Sequence, residues 1–147
     1  MSNPPTYYLD ILAVQRPFPI GVDDSDRPMY SVNFQATART PVYQFEEDLA
    51  AILTSASIGI LGVNVFTSPS AEIPSGNPAD TNAYIVILST GGQASDHPQH
   101  TDDTSIEHLS AQIEIRHIDA LTCRSVAYAV YYAIDNTRNA LITNINA

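Results

Sequence analysis

Residues 108–118, HLSAQIEIRHI, set Leu109, Ala111, Ile113, Ile115 and His117 on one side of an extended chain and Ser110, Gln112, Glu114 and Arg116 on the other. A one-sided strand of this length needs a sheet to pair with and an apolar layer over one face, so the other elements must supply both. The same alternation runs through Tyr30, Val32, Phe34, Ala36 and Ala38, interleaved with Ser31, Asn33, Gln35 and Thr37. Residues 7–14, YYLDILAV, are apolar on much of both sides and read as a strand covered from two directions. Between these two, QRPFPIGVDDSDRP collects three prolines, a glycine and three aspartates and reads as a loop, so residues 7–38 form a long-looped hairpin after a loose leader, residues 1–6.

Thr40 and Pro41 suit the N-cap and first position of a helix. Val42, Phe45, Leu49, Ile52, Leu53 and Ala56 follow at three- and four-residue steps, with Glu46, Glu47 and Asp48 as its solvated, N-terminal acids and Gly59 and Gly62 as its end. GVNVFTS is a short strand, and the proline-punctuated stretch after it is a loop. AYIVILST, residues 83–90, is nearly all apolar and β-branched, as a central strand is, and Gly91 and Gly92 stop it. A long polar segment, 93–107, precedes the 108–118 strand. Asp119 caps a last helix from about Ala120 to about Leu141, with Cys123, Val126, Ala127, Val130, Ile134 and Leu141 inward and Tyr128, Tyr131 and Tyr132 crowded at an edge or a subunit contact. The fold class is α+β: a mixed, largely antiparallel sheet of about five strands with two amphipathic helices packed on one face. The core helices and strands span residues 42–141.

At 147 residues this is one domain, large enough to bury a core without a staple. A single cysteine cannot make an internal disulfide, and no apolar run reaches the roughly 18–20 residues of a membrane span, so a soluble, cytoplasmic protein is expected. Six arginines and no lysine stand against sixteen acids, leaving −10. That surface repels a phosphate backbone and disfavours a nucleic-acid reader.

Chemistry is sparse. Asp96, His97, His100, Asp102, Asp103, Glu107 and His108 include good metal-ligand types, yet the segment has no rigid element to fix the His97/His100 pair, so a solvated loop is favoured over a metal site. No nucleophile elbow, Walker loop, dinucleotide fingerprint or H-E-x-x-H occurs. His117 sits in the apolar register of its strand and reads as a core or edge histidine, and Arg116 and Arg124 pair with acids of a neighbour or of the same chain. No catalytic residue and no cofactor is assigned.

Taken in order, FEEDLAAILTSASIGILGVNVFTS, AYIVILSTGGQASD and LSAQIEIRHIDALTCRSVAYAVYYAIDNT resemble the tail-terminator and minor capsid proteins of long-tailed bacteriophages. The correspondence runs through Phe45–Leu53, Val63–Pro69, the Gly91, Gly92, Asp96 turn and the Gln112, Ile113, Ile115, Arg116 strand, within residues 42–138. In that family a segment like GVDDSDRPMYSVNF stands near the end of the chain; here it stands near the start, which the resemblance casts as a circular permutation. The resemblance implies a virion protein with no enzymatic role: a self-assembled ring of roughly six subunits that ends the tail tube and joins the tail to the head-side neck. Its partners would be other copies, the tail tube protein and the head-tail connector, with DNA passing through the bore unbound. Asp23, Asp24, Asp26, Glu46 and Glu47 are then candidate bore-lining acids. Gly91, Gly92, Asp96, His97, His100, Asp102 and Asp103 form the candidate contact arm. Two other readings remain open: a different neck ring (head-completion or stopper), and a metal-dependent hydrolase or ligand-binding domain using His97 and His100.

Overall fold

The computed structural model describes residues 6–23, 26–39, 42, 44–67, 83–96 (92–96 by their backbone) and 106–142. Its elements are β1 (Thr6–Ala13), β2 (Phe18–Val22), β3 (Pro28–Arg39), α1 (Phe45–Ser55), β4 (Val65–Thr67), β5 (Tyr84–Asp96), β6 (Ile106–Arg116), α2 (Ala120–Ile134) and β7 (Thr137–Ile142). They build an α+β domain with one sheet in the order β4-β5-β6-β3-β1-β7, with β2 pairing to β3 beyond the end of β1. Every pairing is antiparallel except β4 with β5.

The sheet has seven strands where about five were expected, and both additions have physical causes. The segment read as the hairpin loop contains β2: Phe18, Ile20 and Val22 alternate, and Gly21, at a φ of 115°, absorbs a register shift against Tyr30 and Met29. Proline is tolerated there because β2 lies at the rim of the sheet. The hairpin therefore closes through a short turn, in which the Asp23 N–H donates to the Arg27 carbonyl and the Asp26 N–H to the Asp23 carbonyl, each at 3.0 Å. At the other end, α2 stops at Ile134 rather than near Leu141. Asn136 takes a φ of 61°, a left-handed end that asparagine tolerates, and the chain reverses into β7. Thr6 belongs to β1, opposite Ile142 of β7.

Helix α1 starts at Phe45 with Gln44 as its N-cap, not at Pro41; Val42 precedes it, and Thr40 and Pro41 lie outside the described residues. Its end is made by Ser57 (φ 60°) and by the Ile58 N–H reaching back to the Leu53 carbonyl at 2.9 Å, so Gly59 and Gly62 do not terminate it. Gly91 and Gly92 do not stop β5, which continues to Asp96; Gly91, at a φ of 92°, takes up the register shift after Ser89.

Both helices pack on one face. Phe45, Leu49 and Leu53 of α1 and Cys123, Ala127, Val130 and Ile134 of α2 close over Tyr8, Ile11, Val32, Phe34, Ile85, Ile87, Ile113 and Ile115 in one core cluster. Leu109 packs at its margin. Cys123 is buried, its Sγ lying 3.2 Å from the Pro28 carbonyl and 3.3 Å from that of Ile115. Asp119 caps α2, its carboxylate accepting from the Thr122 N–H at 3.0 Å and from the Thr122 hydroxyl at 2.6 Å. His117 is buried, and its Nδ1 accepts from the Asp119 N–H at 2.9 Å. Leu141, expected in the core, lies exposed on β7, and Ala56 is exposed after the last turn of α1.

Gly59 is buried against β4, where an added Cβ would collide with the Val65 side chain. Gly59→Ala should therefore lower stability by about 1–3 kcal/mol, measured by urea denaturation, whereas Gly62→Ala, with open space around it, should be affected only through its φ of 86°.

Candidate assembly surfaces

The acids proposed from the sequence fall into different environments. Asp23 is not a free surface acid: its side chain is 5% exposed and is held by Arg27 (2.8 Å) and Arg116 (3.5 Å). Arg116 also meets Glu114 at 3.2 Å, so it pairs within its own chain, and the Arg27 guanidinium lies 5.1 Å from the Tyr84 ring centroid. This cluster seals the hairpin turn over the ends of β5 and β6, on the sheet face opposite the helices. A charge so committed cannot line a bore. Asp26 is exposed, Glu46 and Glu47 are half-buried, and Asp24 lies outside the described residues. Partial burial, and then the neighbouring Glu47, pushes the Glu46 carboxyl up.

Asp48 departs furthest from its reading as a solvated helix acid, because it is fully buried. The Tyr8 hydroxyl, also buried, donates to Asp48 Oδ2 at 2.6 Å, and Phe45 lies beside the Tyr8 ring with centroids 6.0 Å apart. Burial pushes the Asp48 carboxyl up to about 6, against the opposing pull of the hydrogen bonds from Tyr8 and Thr6. Burial first, then the bond to Asp48, raises the Tyr8 phenol as well. One position on the acidic run thus serves as a polar anchor between α1 and β1.

The proposed contact arm splits. Gly91, Gly92 and Asp96 are strand positions in β5, paired with Ser110, Leu109 and Ile106 of β6, while His97, His100, Asp102 and Asp103 lie outside the described residues. Among the described residues no three His, Cys, Asp or Glu side chains gather as a metal site. Glu107 and His108 belong to β6. No helix among the described residues is long and apolar enough to cross a membrane.

Two surfaces that sequence reasoning missed stand at opposite ends of the sheet. At one end, β7 pairs only with residues 6–11 of β1, so the outer rim from Leu12 onward, through β2, has no strand beside it among the described residues. Leu12, Val14, Ile20 and Val22 are exposed along this rim, and Leu141 on the neighbouring β7. At the other end, the connection from α1 to β4 exposes Ile60 and Val63 beside a groove of about 480 Å³ that includes Thr54, Ser57, Ile58 and Asn64. Residues 17–22 and 49–71 contain no Asp, Glu, Lys or Arg, and the exposed Arg16 lies on the rim between Val14 and β2. No family model, curated protein or solved structure matches this chain. Among the described residues, the remaining exposed large apolar groups, Ile118, Leu121 and Tyr132, lie on or beside α2, where Tyr131 and Tyr132 meet edge to face at 5.1 Å.

Because the folded protein holds Asp48 near 6 against an ordinary 3.8, it prefers the protonated acid. That contribution is full below about pH 4, declines as pH rises and is lost above about pH 6, leaving a cost on the order of 3 kcal/mol at neutral pH. Asp48→Asn keeps an acceptor for Tyr8 without the charge. It should raise the unfolding free energy measured by urea denaturation at pH 7.5 by roughly 1–3 kcal/mol, and match the parent protein at pH 4.

Proposed function

We propose that this protein is a structural component of a tailed-phage virion: a tail terminator that closes into a ring at the head-proximal end of the tail, ends tube growth and joins the tube to the neck. The observation that carries the reading is the pair of exposed apolar surfaces at opposite ends of a single sheet, on segments (residues 11–22 and 49–71) without a carboxylate, in a chain whose net charge is −10. Two different sticky surfaces on one protomer make a heterologous joint, and repeated heterologous joints close into rings when the rotation allows. Apolar contact is the attraction that strongly like-charged copies can use, because charge repels them everywhere else.

Two further features support the same reading. Thr6 and Ile142 are strand partners, so the first and last described residues adjoin in the sheet, as a circular permutation of the family's order requires. The hairpin that the resemblance assigns to the family's C-terminal end is paired along β6 from Met29 to Arg39, within the same sheet. The acidic excess suits a bore through which DNA passes without sticking, with Asp24, Asp26, Glu46 and Glu47 as the remaining candidate lining acids. The tail tube protein and the connector are the partners above and below, in the host cytoplasm during assembly and in the virion afterwards.

Negative-stain imaging of the purified protein should show rings with a bore wide enough for a duplex. Particles made without the protein should carry tails of irregular, excessive length. Normal tails lying beside unjoined heads would instead assign it to another ring of the neck, and particles unchanged in its absence would end the reading.

A further inference from the structure

We propose that the joint between copies is formed by the β1–β2 rim of one subunit, led by Ile20 and Val22, seated in the groove beside Ile58 and Val63 at the β4 end of the next. This rests on the ring reading above and adds which two surfaces meet. The occupant of the groove is a second copy of this chain, for three reasons.

The first is charge. A partner with net charge −10 can approach its own kind closely only where neither side presents a carboxylate, and the uncharged segments 17–22 and 49–71 supply one such surface at each end of the sheet. The second is geometry. The two surfaces are separated by the width of the sheet, so one molecule cannot satisfy both itself, and each is left exposed: Val22 and Val63 are both 61% accessible. The third is the chemistry of the rim. Pro19 within β2, and Pro17 just before it, lack backbone donors, which blunts this edge against the addition of another strand and leaves its projecting side chains as the adhesive element. A projecting apolar edge calls for a recess, and the space of about 480 Å³ beside Ile58, Ile60 and Val63 is an apolar recess of that kind.

The chain itself simplifies the test. Its single cysteine, Cys123, is fully buried, and burial pushes its thiol up to about 11, so it stays silent toward maleimides while new surface thiols react. Val22→Cys and Val63→Cys change exposed positions and should leave the fold intact. Treated with a short bismaleimide, each single variant alone should remain uncross-linked, an equal mixture should give a dimer, and a chain carrying both changes should give a ladder of increasing mass. Cross-linking of Val22→Cys alone would show a two-fold rim-to-rim contact and overturn the proposal. Rings seen by imaging with no dimer from the mixture would place the joint elsewhere, overturning this inference while leaving the ring reading standing. A monomer by both imaging and cross-linking would overturn both. As a separate readout, Val63→Asp should abolish ring formation while leaving the circular dichroism spectrum unchanged; intact rings from that variant would also contradict the joint.

Discussion

Strand β3 is the constraint on which the rest of the molecule depends. On one side it pairs with β6 over its whole length, from Met29 to Arg39; on the other it carries β1 and then β2. The pairing is in register for the core: Val32, Phe34 and Ala36 stand opposite Ile113, Ala111 and Leu109, so both strands offer the helices one continuous apolar face. A slip of one residue would turn Asn33, Gln35 and Gln112 inward and leave several polar groups unpaired, at a cost of about 1–3 kcal/mol each. A long-range antiparallel pairing thus fixes the middle of the sheet, and an early segment of the chain sits between strands made much later.

From that spine the two ends of the sheet follow. β5 and β4 extend it beyond β6, while β1 and β7 extend it beyond β3, with β7 covering β1 only as far as Ile11. The Ala13 N–H donates to the Asp135 carboxylate at 2.8 Å, fastening the end of α2 to β1 within the stretch that β7 leaves uncovered. The open rim and the α1–β4 groove are therefore products of how far the neighbouring strands reach. Both fall on stretches of an acidic chain that hold no carboxylate, which is the ground on which self-assembly is proposed.

Much of this was legible in the residues. The strands at 28–39 and 106–116, the buried strand beginning at Tyr84, the Asp119 cap and the inward Cys123 all follow from period and capping chemistry, because their local preference and tertiary environment agree. Other features needed the third dimension. Three prolines concealed β2, since proline count signals a loop unless the strand is known to lie at an edge. The seven-residue step from Ile134 to Leu141 suits a helix as well as a turn into a strand, and Asn136 was the local sign of the turn. Asp48 looked like its exposed neighbours because nothing near it in sequence announces Tyr8, forty residues away. The two apolar surfaces were written as stretches without carboxylates, but that they stand at opposite ends of one sheet is a property of strand order alone.

The central claim, that uncharged apolar ends draw together copies that otherwise repel, is tested most directly by sedimentation equilibrium across a salt series. Screening weakens repulsion between chains of charge −10 and spares apolar contact, so the association constant should rise from low salt to about 0.5 M sodium chloride. Association that weakens as salt is added, as an interface held by ion pairs would, or a single-subunit mass throughout the series, would contradict it.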